Sequence, residues 1–306
     1  MPKSSETPDT LKPYTHHGLK FEYAPGDKNA LATCPWCNRE RKFSVRLDNG
    51  LWRCFVCNEG NDNGKPIQGG NALVFIRKLH DESFKTTPYS EYLALAEDRR
   101  LASPDTLVRW GAAKSTITGL WLLPAYDPTG KLANLYDYRR DNKTGRSRML
   151  PTPTLGHKIF AASVANHQAV NVFWCEGPWD GMAWEETLAG VRPDGRSFAV
   201  ASDPAQSLLA TSLVLSVPGC GTFFEEWCIL SAGKRVFLCY DNDHPRTNPR
   251  TGAAIPPGGL SGMERAAYVL SHSPTPPTDI MYMKWGGDGY NLELPDGYDL
   301  RDAVNT

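Results

Sequence analysis

The sequence predicts a multidomain α+β chain: a small metal ribbon first, a basic α+β subdomain next, and an α/β domain with a parallel sheet last. Three observations carry that expectation. Cys34-Pro-Trp-Cys37 and Cys54-Phe-Val-Cys57 are two Cys-x-x-Cys pairs with sixteen residues between them, the ligand spacing of a four-thiolate zinc ribbon. From Gly119 onward, apolar runs bounded by Pro and Gly read as strands. Beyond residue 169 such strands alternate with helical stretches, as in a doubly wound layer. The 306 residues suffice for two or three units, and 41% of them are hydrophobic, enough for real cores. The expected boundaries are 1–65 for a polar arm and the ribbon, 66–110 for a helical linker, 111–168 for the basic subdomain and 169–306 for the α/β domain.

Taken in order, residues 1–25 read as a polar arm. Asn61 to Gly70 is rich in turn residues and marks a boundary. Ala72 to Leu79 and Glu91 to Arg100 have helical composition. Ser103-Pro104 looks like a helix start, with Ser103 as cap and Pro104 in the first position. Gly119 to Pro124 is an apolar strand, Asp127 to Gly130 a hairpin turn and Lys131 to Arg140 the return strand. Asn171 to Cys175, Leu213 to Val217, Arg235 to Tyr240 and Ile280 to Lys284 are further strands. Met182 to Leu188 and Met263 to Ser271 are the helices among them. Cys175, Cys220, Cys228 and Cys239 lie in apolar or strand-like settings and read as small buried hydrophobes rather than disulfides.

Four thiolates close a tetrahedral zinc site, so the ribbon's zinc is structural. It supplies folding energy that some thirty residues cannot draw from a hydrophobic core. Between the pairs, Arg41, Lys42 and Arg53 are interleaved with Phe43 and Trp52. Such a pattern can hold phosphates and stack bases; alternatively, Phe43 and Trp52 fill the ribbon's own core. Residues 119–165 carry seven positive residues, Arg139, Arg140, Arg146, Arg148 and Lys158 among them, against three acids. In a chain of net charge −1 this is a local basic patch suited to a phosphate backbone.

Glu176 directly follows an apolar strand, and Asp241-Asn-Asp243 follows another. Ligands of open α/β sheets bind at the carboxyl ends of the strands, so the three carboxylates can converge. Their hard oxygens suit Mg²⁺ or Mn²⁺. Asp180 lies about one helical turn beyond Glu176 and can support that loop.

These motifs carry a resemblance. The run from Cys34 to Asn63 (CPWCNRERKFSVRLDNGLWRCFVCNEGNDN) resembles the zinc domain of bacterial and phage DNA primases. An all-cysteine ligand set is closer to the phage primase-helicases. Leu122-Leu-Pro124, Arg139-Arg140 and Gly156-His-Lys-Ile-Phe160 resemble the basic subdomain of that family. Glu176-Gly-Pro-Trp-Asp180 with Asp241-Asn-Asp243 resembles the TOPRIM domain, Leu215 to Gly219 its intermediate strand and turn, and Asp299-Leu-Arg-Asp302 its last acidic motif, with Asp302 the best match. One departure stands out: His244 to Leu260, rich in Pro and Gly, intervenes where many TOPRIM proteins start a helix at once.

The resemblance implies a primase that makes short RNA primers from ribonucleoside triphosphates on single-stranded DNA. Two Mg²⁺ or Mn²⁺ ions would be held by Glu176, Asp241 and Asp243, with Asp180 and Asp302 binding metal or orienting that set. Arg139, Arg140, Arg146, Arg148 and Lys158 would track template or triphosphate, and the ribbon would hold template at initiation. A hexameric replicative helicase is the implied partner. The alternatives are a non-catalytic single-stranded-DNA-binding replication module and a TOPRIM metal-dependent nuclease. The chain is short for a topoisomerase strand gate. It also holds no Gly-x-x-x-x-Gly-Lys-Ser/Thr loop and hence no helicase motor. Its end just after Asp302 fits either a complete small primase or a fragment of a primase-helicase. No apolar run approaches a membrane span, no signal-peptide core precedes the ribbon, and a cytoplasmic location in a bacterium or phage-infected host is expected.

Overall fold

The computed structural model describes residues 7–57, 69–140, 147–190 and 208–305. By packing, the chain divides into two units. The first comprises residues up to Thr87 together with Ala113–Pro124 and Leu132–Gly156. Its ribbon sheet has the order β1 (Asn29–Ala32), β2 (Phe43–Arg46), β3 (Trp52–Cys54) and β4 (Gly69–Gly70), antiparallel throughout. In strand β2, Phe43 and Val45 join the core and Ser44 is buried too.

Helix α2 (Ala72–Thr86) begins at Asn71, whose side chain accepts the Val74 N–H, a standard N-cap that satisfies one orphan donor. It buries Phe75, Ile76 and Leu79 against Phe43, Val45 and Trp52. The segment before the ribbon differs from the polar arm expected. Helix α1 (Lys12–His16) buries Tyr14, and Leu11, Tyr14 and Leu19 join the same core. The Tyr14 hydroxyl donates to the Gly50 carbonyl at 2.6 Å. Three spaced apolar residues in a polar run give too weak a periodicity to read. A second sheet has the order β5 (Ala113–Lys114), β6 (Trp121–Tyr126), β7 (Leu132–Arg140) and β8 (Ser147–Pro151); all of it but Ala125 and Tyr126 falls in this unit.

The second unit comprises Pro88–Ala112, Ala125–Lys131 and the chain from His157. Its four-stranded sheet is parallel, in the order β10 (Ser212–Ser216), β9 (Asn171–Cys175), β11 (Arg235–Cys239), β14 (Asp279–Tyr282). This is the parallel α/β layer expected. Every residue of β9 and β10 is buried, as parallel strands covered on both faces should be. Trp174, Leu215, Val236, Leu238 and Trp227 form the core with Met263, Ala266 and Leu270. The last three come from helix α6 (Gly258–Ser271).

Helices α3 (Tyr89–Asp98) and α4 (Pro104–Arg109) belong to this second unit. Ser103 caps α4 as predicted, accepting the Asp105 N–H. Helix α5 (Pro178–Leu188) is buried almost all round because β9 and β10 back it while α4 and the final helix (Leu300–Val304) cover it. Glu186 of α5 accepts hydrogen bonds from the Ala102 and Ser103 N–H groups and from the Thr106 hydroxyl. Glu185 accepts from the Arg109 guanidinium and the Trp110 indole. Two buried carboxylates thus find five donors on α4 and its flanks, which is what makes them tolerable there. The proline-rich stretch after Asp243 forms a small exposed hairpin, β12 (Arg246–Thr247) with β13 (Ala254–Ile255), before α6 begins. The final helix is α7 (Leu300–Val304).

Candidate active site and nucleic-acid interface

The four cysteines meet as the spacing requires. Cys34 Sγ lies 3.8 Å from Cys57 Sγ, and Cys37 Sγ 3.7 Å from Cys54 Sγ. Zinc–sulfur bonds of about 2.3 Å in a tetrahedron give sulfur–sulfur edges of about 3.8 Å, so the cluster fits a structural zinc. The first pair sits on a knuckle closed by the Asn38 N–H bond to the Cys34 carbonyl and the Cys34 N–H bond to the Arg39 carbonyl. Asn38 has φ 53°, a left-handed conformation that asparagine accepts more readily than most residues.

One face of the ribbon sheet forms a groove of 630 Å³ lined by Lys28, Arg46 and Arg53 together with Ser44, Leu51 and Gly69. Arg53 also stacks its guanidinium over Phe55 at 4.4 Å. Arg41 and Lys42 are exposed but line no part of this groove, and Arg41 pairs with Glu22. Trp52 corrects one expectation. Its ring is stacked on Phe43 at 5.1 Å and its indole N–H donates to the Asn71 carbonyl. Only 3% of the residue is exposed, so it chiefly fills the ribbon core, and it reaches the groove only at its lining.

In the second sheet, Arg139 on β7 stands directly across from Arg148 on β8. Arg140 is exposed on the alternate face. Two cations facing each other across a ladder are unfavourable unless an anion serves both; Arg139 also reaches Asp137 at 2.8 Å. Arg146 lies outside the described residues. Lys158 belongs to the second unit and pairs with Glu226 at 3.3 Å.

The acidic loops lie at the carboxyl ends of the two central parallel strands. Glu176 is the first residue beyond β9, and its N–H donates to Cys239 at the end of β11. The Asp241 N–H returns a bond to Glu176 Oε2 at 3.3 Å. Adjacent strands therefore bring the two loops together, as the strand-end rule predicts. Gly177 precedes Pro178 at the start of α5; a Cβ on Gly177 would stand 3.0 Å from Asp180 Oδ2. Asp180, in the first turn, is buried, and its Oδ1 has no hydrogen-bond partner.

Asp243 is anchored from the other side. Its Oδ2 accepts the Gly259 N–H at 2.8 Å, in the first turn of α6, where the helix dipole favours a carboxylate. A Cβ on Gly259 would lie 2.2 Å from the Asp241 carbonyl oxygen. The helix can approach the Asp-x-Asp loop only because glycine stands there. The inserted stretch thus loops out and the helix returns to the loop at Gly258-Gly259, ahead of Ser261-Gly262.

Between the two aspartates, Asn242 is fully buried. It donates to the Asn291 and Pro295 carbonyls and accepts the Asn291 N–H. It fastens the strand that leads into α7. There the structure turns Asp299, not Asp302, toward the other acids. Asp299 Oδ1 accepts the Asp302 N–H in a capping box, and Asp302 faces Arg100 at 3.0 Å.

Electrostatically the set is frustrated. Burial, and then the Asp243 charge, push Glu176 up to about 7. Burial, and then Asp299, push Asp180 up to about 8. Burial raises Asp241 well above the usual carboxylate range, with Asp180, Glu176, Asp299 and Asp243 adding to the effect. Arg301, 2.6 Å from Asp299, and the charge of Arg99 act on this set from the Asp299 side. Crowded, partly orphaned hard oxygens are the donor set that Mg²⁺ or Mn²⁺ accepts. Among the described residues, no three of these acids bring their donor atoms within 4.8 Å of one another. Like charges give the physical reason.

The loops therefore bring together Glu176, Asp180, Asp241 and Asp243 of the predicted residues. Asp299, Asn242, Cys220 and the glycine pair join them from outside the prediction. Cys220, which donates to Glu176 through backbone and thiol, follows the Pro-Gly turn already singled out in sequence. Asp299 was one capping box away from recognition, since Asp-x-x-Asp at a helix start leaves the inward carboxylate undecided.

No protein-family model matches the chain, and no curated protein matches it. Solved structures do. The zinc-binding and RNA polymerase domains of the Aquifex aeolicus primase align over 98% of this chain and 80% of that one, at 15% identity and TM-score 0.37. The primase fragment of the bacteriophage T7 primase-helicase protein aligns over 93% and 94%, at 15% identity and TM-score 0.43. The RNA polymerase domain of the Mycobacterium tuberculosis primase aligns over 75% and 77%, at 13% identity and TM-score 0.45.

Proposed function

We propose that this chain is a DNA primase that joins ribonucleotides into short primers on a single-stranded DNA template. The observation that carries the proposal is the carboxylate set at the ends of β9 and β11. It is buried, mutually repelling and short of cations, in a chain that also holds a zinc-type ribbon with a basic groove. Glu176, Asp241 and Asp243 would hold the divalent ions, and Asp180 and Asp299 would orient that set. When bound, Mg²⁺ or Mn²⁺ supplies Lewis-acid stabilisation of phosphate charge and makes an attacking hydroxyl more acidic. The chain's own part is positional. The α6 N-terminus fixes Asp243, Asn242 fixes the loop, and the Gly177 turn leaves room for Asp180. In the ribbon groove, Lys28, Arg46 and Arg53 would take template phosphates, sequence-independently and in a salt-dependent way. Arg139 and Arg148 would share a phosphate of template or triphosphate. A hexameric helicase would be the partner that delivers template.

The test is primer synthesis from labelled ribonucleotides on a mixed pool of single-stranded templates, with Mg²⁺ or Mn²⁺. Wild-type protein is expected to yield short oligoribonucleotides, and Asp241→Ala and Asp243→Ala at least a hundredfold less. Full synthesis by both variants would refute the assignment. Cleavage of DNA without nucleotides would instead identify a nuclease.

A further inference from the structure

A second cluster of ligand-type side chains lies in the first unit, apart from the cysteines. His16, His17 and Asp137 bring their donor atoms within 4.8 Å of one another. His16 Nε2 is 3.4 Å from Asp137 Oδ2, and His17 Nδ1 is 3.2 Å from Asp137 Oδ1. The side chains of His17 and Asp137 are wholly buried, and that of His16 is 11% exposed. None of His16 Nε2, His17 Nδ1 and Asp137 Oδ1 has a partner in good hydrogen-bond geometry, although all three are buried and His17 stands within ion-pairing reach of Asp137.

The surrounding hydrogen bonds determine which nitrogens are bare. Thr152 Oγ1 donates its one hydrogen to the Leu135 carbonyl at 2.7 Å. Its contact with His17 Nε2, at 2.9 Å, must therefore be one in which the ring donates. A neutral His17 then carries its proton on Nε2, and its Nδ1 lone pair points at a carboxylate oxygen. The His16 ring bonds to the Leu150 backbone carbonyl, which is an acceptor. Because Nε2 has no partner, that bond belongs to Nδ1–H, and Nε2 is bare as well.

Each imidazole thus has its outer N–H held by an oxygen while its inner nitrogen faces Asp137. That is how metal-ligating histidines are oriented. Two ligands bonded at about 2.1 Å and separated by 90–109° stand about 3.0–3.4 Å apart; His17 Nδ1 and Asp137 Oδ1, at 3.2 Å, have that spacing, and His16 Nε2 lies within 4.8 Å of both residues' donor atoms. Asp137 Oδ2 accepts from Arg139 at 2.8 Å, which steadies the carboxylate and leaves Oδ1 for an ion. A cleft of 470 Å³ lined by Thr7, Lys12, Thr15, His16, Arg139 and Pro153 opens beside the cluster, giving an entry path and room for a water ligand.

We infer that His16 Nε2, His17 Nδ1 and Asp137 Oδ1 form a second site for a divalent transition-metal ion of the zinc class. Imidazole with carboxylate suits such ions, whereas all-oxygen sets suit magnesium. The bound ion ties α1 to β7 and fixes the stretch of β7 that carries Arg139 opposite Arg148.

The full chain holds seven histidines, few enough for ¹⁵N-histidine NMR to follow each ring. Zn²⁺ is titrated from zero to two equivalents, with native mass spectrometry counting the ions. The first equivalent should fill the thiolates. The second should shift two rings to metal-bound values, and the shifts should vanish in His16→Gln and His17→Gln while the thiolate zinc remains. Thr152→Val, which removes the acceptor behind His17 and spares all three ligands, should weaken the second zinc by about 10–100-fold. One zinc per chain with all seven rings unmoved would overturn the inference. So would a His17 ring found doubly protonated at neutral pH, since a proton would then hold it to Asp137.

Discussion

The contact between α6 and the Asp-x-Asp loop can be tested with a single methyl group. At Gly259 an added Cβ would lie 2.2 Å from the Asp241 carbonyl oxygen, and 3.1 Å from both the carbon and the nitrogen of that residue. Every one of these neighbours is backbone, so no side chain can swing away. Relief to ordinary contact requires the helix start and the loop to part by roughly 1.2 Å. Gly259 does not occupy the left-handed region, so alanine meets no backbone strain there. Helix propensity alone would favour alanine by about 1 kcal/mol. Overpacking costs about 1–3 kcal/mol, so the net loss of stability should be modest, about 0–2 kcal/mol. The loss of activity should be much larger. Displacement of a reacting group by about 1 Å costs on the order of a hundredfold, and the methyl bears on both Asp241 and the Gly259 N–H that holds Asp243. Primer synthesis is measured for Gly259→Ala beside Gly221→Ala, whose Cβ would meet nothing within 4 Å. A hundredfold fall in the first with a near-normal rate in the second is expected, both proteins remaining folded by circular dichroism. Wild-type synthesis by Gly259→Ala, with unchanged or raised melting temperature, would show that this contact does not position the carboxylates.

Glu186→Ala leaves three donors without their acceptor, at about 1–3 kcal/mol each before rehydration; urea unfolding should show a loss of about 3 kcal/mol or more, and Glu186→Gln well under half of that. A loss under about 1 kcal/mol in Glu186→Ala would mean water replaces the carboxylate freely. Asn242→Ala removes the side chain bonded to Asn291 and Pro295. Amide exchange in residues 291–299 should quicken at least tenfold and primer synthesis should fall with it, whereas unchanged exchange would show that the backbone alone holds this segment.

Much of this organisation was legible because a few patterns have one physical solution. Two Cys-x-x-Cys pairs at ribbon spacing can close a tetrahedron. An acid directly after a wholly apolar strand must emerge at a sheet's carboxyl end. Ser-Pro before a helical run leaves little doubt about the cap. Other features depend on partners distant in sequence. Trp52 between basic residues could stack on a base or on Phe43, and only the packing of Phe75 from α2 decides for the core. Leu11, Tyr14 and Leu19 look like scattered hydrophobes until the ribbon and α2 supply the surface they cover. His16 and His17 look unremarkable in a polar run, because Asp137 lies 120 residues away. Asp299 and Asp302 exchange roles through one capping box, a choice made by Arg100 and Arg301 rather than by spacing.

On the proposed reading, the two kinds of site would couple folding to two different kinds of ion. Cys34 and Cys54 sit in the same core as Phe43, Trp52 and Phe75, so loss of zinc should loosen β2 and β3 and the base of α2. In the acidic loops five carboxylates gather, with Arg301 and Arg99 acting on Asp299, and burial opposes the ionisation of Glu176, Asp180, Asp241 and Asp299. Folding holds them together at an electrostatic cost, which a hard divalent ion would offset. An ion that binds only the folded state stabilises it by RT ln(1 + [L]/Kd), about 2.7 kcal/mol at a hundredfold excess over Kd. Hydrogen exchange separates the two effects by residue. Saturating Mg²⁺ should slow exchange of the amides of Glu176, Asp241 and Gly259 about a hundredfold where exchange follows unfolding of that unit, and leave β2 and β3 unchanged. A zinc chelator should do the converse, quickening exchange in β2 and β3 while the amides of β9 and β11 stay protected. If Mg²⁺ left the acidic loops unaltered at concentrations that support primer synthesis, the ion would have to be held by the incoming triphosphate rather than by these carboxylates. Their mutual repulsion would then need another partner to explain it.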